Sequence, residues 1–460
     1  MADTTADPLP TCAFFLARKN RYCKVTLIPG KKYCGLHAHL DPNTEDKDRR
    51  NRIPCPLDAK HTVYENQLKK HLKKCNAREK PQPDYFQKNI NSGLSCESDP
   101  LEKITLSSLS RNELETLIAK LKKVFNDHNV PITSSIKAHP ALERELVDPG
   151  NGSTALKHLM QTSSLLGNME KLDLLNSGTC YVEFGAGKGQ LSHWVQRSLP
   201  DSQDTEFLLV DRGANRYKVS LSRLLSQRVD DGPHFERLRI DIEHLCLDKV
   251  PRIAESNRPV VAISKHLCGA ATDFTLQCLT ETLQHSGKFE DQDYEQSDSH
   301  DSKRLKRDSS KRLHGIVIAL CCHHKCSWTS YVGREFFQSE DFSPRDFILT
   351  TRLTSWATCG TRAQTAAESA VSQNATVPEA EISASDSQNS TEQETINVGY
   401  RDLLNSLSVD EREEIGRMSK RLIDIGRIKF LEDKGFKVDL AYYVESKISL
   451  ENIVMIARPR

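Results

Sequence analysis

Residues 181–189 read Tyr-Val-Glu-Phe-Gly-Ala-Gly-Lys-Gly, an apolar run that ends in three glycines at alternate positions. Glycines spaced this way let a backbone turn sharply at the carboxyl end of a strand and approach a ligand closely. The surrounding sequence supports such a strand-to-helix turn. From about residue 155, helical periodicity at 154–172, 190–199, 215–229, 274–284 and 402–435 alternates with apolar strand patterns. The strands fall at 179–187, 205–211, 236–242, 259–266, 314–324, 437–446 and 451–459. This alternation predicts an open α/β sheet with helices on both faces.

Two stretches interrupt the alternation. Residues 286–312 are highly charged, and residues 361–397 are rich in Ser, Thr, Ala, Glu and Gln. Neither has an apolar face to bury, so both are expected to be disordered inserts. The KRLKR run inside the first has the composition of a nuclear signal, but short basic runs arise often in solvated loops. The chain is 37% hydrophobic and 28% charged, more polar than one compact globule requires. No run approaches the roughly 18 apolar residues of a membrane span. MADTTADPLP has neither the basic nor the apolar region of a secretory signal. The chain therefore reads as intracellular, in nucleus or cytoplasm. Its 14 Cys then suggest metal ligands or site residues rather than disulfides.

The net charge of +1 conceals a division. Residues 1–80 hold 17 Lys and Arg against 9 Asp and Glu, a balance of +8, while the rest hold 47 against 54, a balance of −7. A basic head on a mildly acidic body suits a polyanion-binding module attached to a working domain. That head contains Cys12-x10-Cys23-x10-Cys34-x2-His37 and Cys55-x5-His61-x9-His71-x3-Cys75. Each group offers the four N/S ligands of a closed structural zinc site, in a segment too short to bury much apolar surface. His39 is an alternative to His37. Arg18, Lys19, Arg21, Lys24, Lys31 and Lys32 surround the first group, interleaved with Phe14, Phe15, Tyr22 and Tyr33. Lys60, Lys69, Lys70, Lys73 and Lys74 surround the second, with Tyr64. Basic groups among aromatics suit phosphate contact and base stacking. Between head and body, Leu106, Leu109, Leu114, Leu117, Ile118, Leu121 and Phe125 follow the helical period. Ser110 and Glu113 have capping-box spacing at its start. The helix is too short for a long coiled coil and suits a bundle helix or a connector packed on the body.

The loop E-x-G-x-G-x-G differs from the G-x-G-x-x-G that cradles a pyrophosphate. It resembles motif I of class I methyltransferases. That resemblance assigns Glu183, Gly185, Gly187 and Gly189 to the methionine and ribose end of S-adenosylmethionine, and Asp211 to the ribose hydroxyls. It brings Asp241 near the adenine, where capping the next turn is the competing role. Two further blocks end strands: Ser264-Lys265-His266-Leu-Cys268-Gly269-Ala-Ala-Thr-Asp273, and Cys321-Cys322-His323-His324-Lys325-Cys326. Another zinc site is an alternative for the second block, although adjacent ligands pack poorly around one metal unless more ligands come from elsewhere.

The first Cys/His group resembles a CCCH finger and the second a CHHC finger. With the EFGAGKG, KHLCGAATD and ALCCHHKC blocks, in that order, the chain resembles eukaryotic tRNA 2′-O-methyltransferases that modify nucleotide 4 of the acceptor stem. The resemblance implies a class I, Rossmann-like methyltransferase sheet preceded by two small zinc fingers. It implies S-adenosylmethionine and two structural Zn²⁺ as cofactors, and the tRNA acceptor stem as partner. The corresponding layout is a CCCH finger at 8–40, a CHHC finger at 52–80, linker and amphipathic helix at 81–150, and the methyltransferase domain at 151–460. The sulfonium methyl is already activated, so the protein must align the 2′-oxygen and favour loss of its proton. Lys265 is the first candidate for that role; His266, His323, His324 and Lys325 are the other, unranked candidates, each better suited to shaping the pocket or binding RNA. Two alternatives stand beside this reading: an RNA cytosine-5 methyltransferase using Cys268, Cys321 or Cys322, and a non-catalytic zinc-dependent RNA-binding protein.

Overall fold

The computed structural model describes residues 11–16, 21–27, 30–34, 37, 52–75, 77–78, 82–93, 104–128, 130–199, 204–213, 234–282, 313–359, 400 and 402–460. The expected inserts 286–312 and 361–397 and the helix expected at 215–229 lie outside these residues, as do Arg18, Lys19 and His39. The chain divides into two compact units, Met1–Gln82 and Pro83–Arg460.

The first unit contains two small antiparallel pairs. Strand β1 (Phe15–Leu16) pairs with β2 (Arg21–Tyr22), and β3 (Arg52–Cys55) pairs with β4 (Asp58–Tyr64), followed by a short helix Leu68–Leu72. Their buried apolar residues are few: Cys12, Cys23, Leu27 and Cys34 in one cluster, and Cys55, Val63 and Cys75 in the other. Cores this small do not hold a fold without a further bond.

The second unit is built on an eight-stranded sheet. Its strands are β5 (Thr133–Ser134), β6 (Cys180–Phe184), β7 (Glu206–Val210), β8 (His234–Leu238), β9 (Val260–Cys268), β10 (Leu313–Cys321), β11 (Phe436–Tyr442) and β12 (Ile453–Pro459), in the order β5-β11-β12-β10-β9-β6-β7-β8. Strands β8, β7, β6, β9 and β10 run parallel, and β12 enters antiparallel between β10 and β11. Strand β6 has β7 on one side and β9 on the other, so the strand order reverses there, where open sheets bind ligands. This is the sheet expected of the class I methyltransferase fold.

Alternation along the strands divides the core into two layers. Val182, Leu208, Ala262 and Ile318 face one side, with Leu276 of helix Ala270–Gln277 and Ile428 of helix Val409–Asp433. Tyr181, Phe207, Val261 and Val317 face the other, with Leu166 of helix Ser153–Lys171 and Val195 of helix Gln190–Ser198. A period-two strand places successive side chains on opposite faces, and both faces here are covered. The amphipathic helix runs Arg111–His128, and the expected box at its start forms: the Ser110 amide donates to Glu113 and the Glu113 amide to Ser110 Oγ. Leu114, Leu117 and Leu121 pack in a separate core with Ile415 and Leu422 of helix Val409–Asp433.

The structure differs from the sequence reading at several ends. The third strand stops at Leu238, because Asp241 turns the chain by capping a 3₁₀ turn, Ile242–His244. The strand expected over 314–324 ends at Cys321. The helix expected over 402–435 breaks before Ser408, whose side chain and Glu411 form a second capping box that starts a new helix. Residues 327–358, given no elements from the sequence, hold helices Arg334–Ser339 and Pro344–Leu353, the latter started by a Ser343–Asp346 box.

Candidate functional site

The four ligand atoms of Cys12, Cys23, Cys34 and His37 lie within 4.8 Å of one another, as do those of Cys55, His61, His71 and Cys75. In the first group, His37 Nδ1 is 3.4 Å from Cys12 Sγ and 3.3 Å from Cys34 Sγ. In the second, Cys55 and Cys75 Sγ are 3.7 Å apart and the two His Nε2 atoms 3.1 Å apart. Ligands about 2.0–2.3 Å from one tetrahedral Zn²⁺ have mutual separations of this order. His61 Nδ1 faces Asp58 at 3.5 Å, the kind of outer partner that fixes a ligating imidazole. Both donor sets fit zinc. On the first finger, the exposed Phe15 and Tyr22 rings meet edge to face across the β1–β2 pair, with centroids 5.2 Å apart.

The glycine loop lies beyond β6. Gly185, Gly187 and Gly189 all have positive φ, which glycine adopts without the Cβ penalty. A Cβ at Gly187 would meet only the Gly185 carbonyl, at 4.0 Å, so the loop opens onto free space where a ligand can reach the backbone. Asp211 closes the loop from β7: its Oδ2 accepts from the Gly187 amide at 2.7 Å and its Oδ1 from Gly213 at 2.6 Å. Asp241 caps its own turn through the Glu243 amide at 3.3 Å and pairs with Arg212 at 3.6 Å. Gly185, Asp211, Asp241, His266, Cys268 and Lys325 line one cleft of about 430 Å³. Glu183, Gly187, Lys188, Lys265 and Trp194 line a second of about 540 Å³, and Gly185 and His266 belong to both. The open cradle and the carboxylates fit S-adenosylmethionine.

Glu183 is buried and accepts from the Ser192 amide at 2.9 Å, anchoring the start of helix Gln190–Ser198. Burial raises its pKa, opposed by hydrogen bonds from Ser192. Lys265 Nζ donates to the His158 carbonyl at 2.9 Å and to Thr162 Oγ1 at 3.1 Å. Burial lowers its pKa to about 8, with the Glu183 charge acting in the opposite direction. Burial, reinforced by Lys265 and His158, lowers His266 to about 4, so its imidazole is neutral at pH 7.

His323 is not brought to this cleft. It is buried, with Nε2 2.8 Å from Asp424 Oδ1, and lines a separate cavity of about 650 Å³ with Arg421 and Tyr442. Asp424 continues to Arg427, whose guanidinium reaches Asp273 at 2.8 Å and Cys326 Sγ at 3.2 Å. Burial pushes the Cys326 thiol up to about 12. Asp273, His323 and Cys326, from two sequence blocks, are therefore held by one helix. The sequence reading missed Asp424 and Arg427; the available signal was two charges three residues apart among Ile423, Ile425 and Ile428. The blocks also touch directly at Gly269. This residue has φ +56°, and a Cβ there would stand 2.5 Å from the Lys325 carbonyl carbon.

The family profile described as Methyltransferase TRM13 matches residues 160–458. A CCCH zinc finger in TRM13 protein matches 10–38, and a U11-48K-like CHHC zinc finger matches 52–76. The chain is 43% identical over 478 residues to the tRNA:m(4)X modification enzyme TRM13 homolog of Mus musculus, covering 97% of this chain and 94% of that protein. The Homo sapiens homolog is 43% identical over 482 residues, with the same coverage. The tRNA:m(4)X modification enzyme TRM13 of Schizosaccharomyces pombe is 32% identical over 423 residues, 90% of this chain and 97% of that protein.

Proposed function

The chain belongs to the TRM13 methyltransferase family, and from that premise we propose that it transfers a methyl group from S-adenosylmethionine to the ribose 2′-oxygen of nucleotide 4 in the tRNA acceptor stem. One observation carries the chemical reading. The cleft lined by Asp211 and Asp241 meets the cleft lined by Lys265 at Gly185 and His266. A cofactor-type cradle thus adjoins a group able to exchange a proton near neutral pH.

S-Adenosylmethionine, when bound, supplies an activated methyl group. Gly185, Gly187, Gly189, Asp211 and Asp241 would hold it, with Glu183 anchoring the helix behind the loop. Lys265 is the proposed proton acceptor. A neutral amine has two N–H bonds and one lone pair, and His158 and Thr162 occupy two positions on Nζ. The third position, proton or lone pair, remains for the cleft that Lys265 lines. His266 and Lys325 line the cleft beside it and are proposed to position RNA. The two fingers are proposed to hold one structural zinc each and to grip the tRNA, the first through Arg21, Lys24, Lys31 and Lys32 with Phe15 and Tyr22, the second through Lys69, Lys70, Lys73 and Lys74, all exposed.

The test is methyl transfer from labelled cofactor to total RNA, followed by nucleoside mapping. A 2′-O-methylated nucleotide at acceptor position 4 is expected. A labelled base, or no cofactor binding, would favour the cytosine enzyme or the non-catalytic scaffold respectively.

A further inference from the structure

Three thiols meet at the carboxyl ends of β9 and β10, and the reading above gives them no role. Cys268 and Cys321 are register partners across the two parallel strands, with Sγ atoms 3.8 Å apart. Successive side chains on a strand point to opposite faces, so an extended Cys322 would point away from Cys321. Instead Cys322 adopts φ +54°, a left-handed conformation unfavourable for a residue with a Cβ. All three Sγ atoms then lie within 4.8 Å of one another.

The spacing separates two uses of such a cluster. A disulfide needs its sulfurs at about 2.05 Å and only two residues. Thiolates sharing a tetrahedral metal ion at about 2.3 Å stand roughly 3.8 Å apart. The Cys268–Cys321 separation of 3.8 Å is close to the Cys55–Cys75 separation of 3.7 Å in the second finger. We propose that Cys268, Cys321 and Cys322 form a third metal site, binding Zn²⁺ through three thiolates and leaving one coordination position open. Three soft ligands select a soft or borderline cation, and a protein-supplied set of three is the pattern of zinc sites that keep an exchangeable ligand. Cys268 also lines the cleft that contains Asp211 and Asp241. The ion would tie the ends of β9 and β10 together at the edge of that cleft.

The test measures zinc per chain by plasma mass spectrometry on the full-length protein, purified in reducing buffer without chelator. Wild type is compared with Cys268→Ser, Cys321→Ser and Cys322→Ser. Each variant should carry one equivalent less than wild type, whatever the occupancy of the fingers. Cys322 sits half-buried on a turn, so its variant preserves the test if the strand variants do not fold. Cobalt loading provides a second readout: the thiolate-to-metal absorption of wild type should fall by the contribution of one three-sulfur site. Equal zinc in wild type and folded variants would overturn the proposal, as would a Cys268–Cys321 disulfide that persists under reductant.

Discussion

Arg427 Nη2 stands 2.8 Å from Asp273 Oδ2 with both side chains wholly buried, so an ion pair shielded from water joins the segment after β9 to the helix Val409–Asp433. Removing one partner from such a pair strands the other charge, at a cost of about 3–5 kcal/mol. Arg427→Met and Asp273→Asn should each lower unfolding free energy by about that amount in denaturant titrations. A loss below about 1 kcal/mol would mean that water reaches the pair.

The proton acceptor should reveal itself through pH. Lys265 has its pKa lowered to about 8, so its neutral fraction increases as pH rises through that value. Single-turnover methyl transfer should therefore climb about tenfold per unit below pH 8 and level off above it. Lys265→Ala should reduce the rate by about 10²–10⁴ with tRNA affinity nearly intact. Lys265→Arg should be equally slow, because a guanidinium keeps the charge but does not give up its proton. A flat profile from pH 6 to 9 would remove Lys265 from this role.

Cofactor affinity should depend on Gly187 and Asp211. Gly187→Val adds a branched side chain to the open space at φ +51°, combining backbone strain with blockage. Asp211→Ala removes the proposed ribose acceptor and also releases the Gly187 and Gly213 amides. A loss of about 1.5–3 kcal/mol in S-adenosylmethionine affinity is expected for Asp211→Ala, read by calorimetry. Unchanged affinity in either variant would place the cofactor elsewhere.

The fingers should depend on their metal. A closed zinc site in so small a module contributes on the order of 10 kcal/mol of folding free energy. Cys55→Ser and His71→Ala should abolish the second finger's zinc and weaken tRNA binding, with cofactor binding retained. RNA affinity that is insensitive to both substitutions and to chelator would argue against a grip by the fingers.

The methylated product should be a ribose. It should survive alkaline hydrolysis as an uncleaved dinucleotide, since a methylated 2′-oxygen cannot attack the neighbouring phosphate. Covalent capture of an RNA carrying fluorinated cytosine would instead indicate a cysteine nucleophile.

Features carried by apolar period and ligand spacing were legible in the sequence. Tyr181 to Phe184 alternate between two covered faces, and the Cys and His spacings alone pointed to both four-ligand clusters. Features requiring tertiary context were not. Arg427 and Asp424 looked like ordinary helix charges until Asp273 and His323 arrived from far along the chain. Ser408 and Glu411 had the spacing that starts a helix, but the apolar pattern on either side concealed the break. His323 and Lys325 are two residues apart, yet the 3₁₀ turn separates them, placing one in the buried network and the other at the cleft.

The close approach of Gly269 to Lys325 leaves no slack between the loop after β9 and the turn after β10. Displacing one segment therefore displaces the other. A larger residue at 269 should shift Cys268 and Lys325 together, and both line the cleft that contains Asp211 and Asp241.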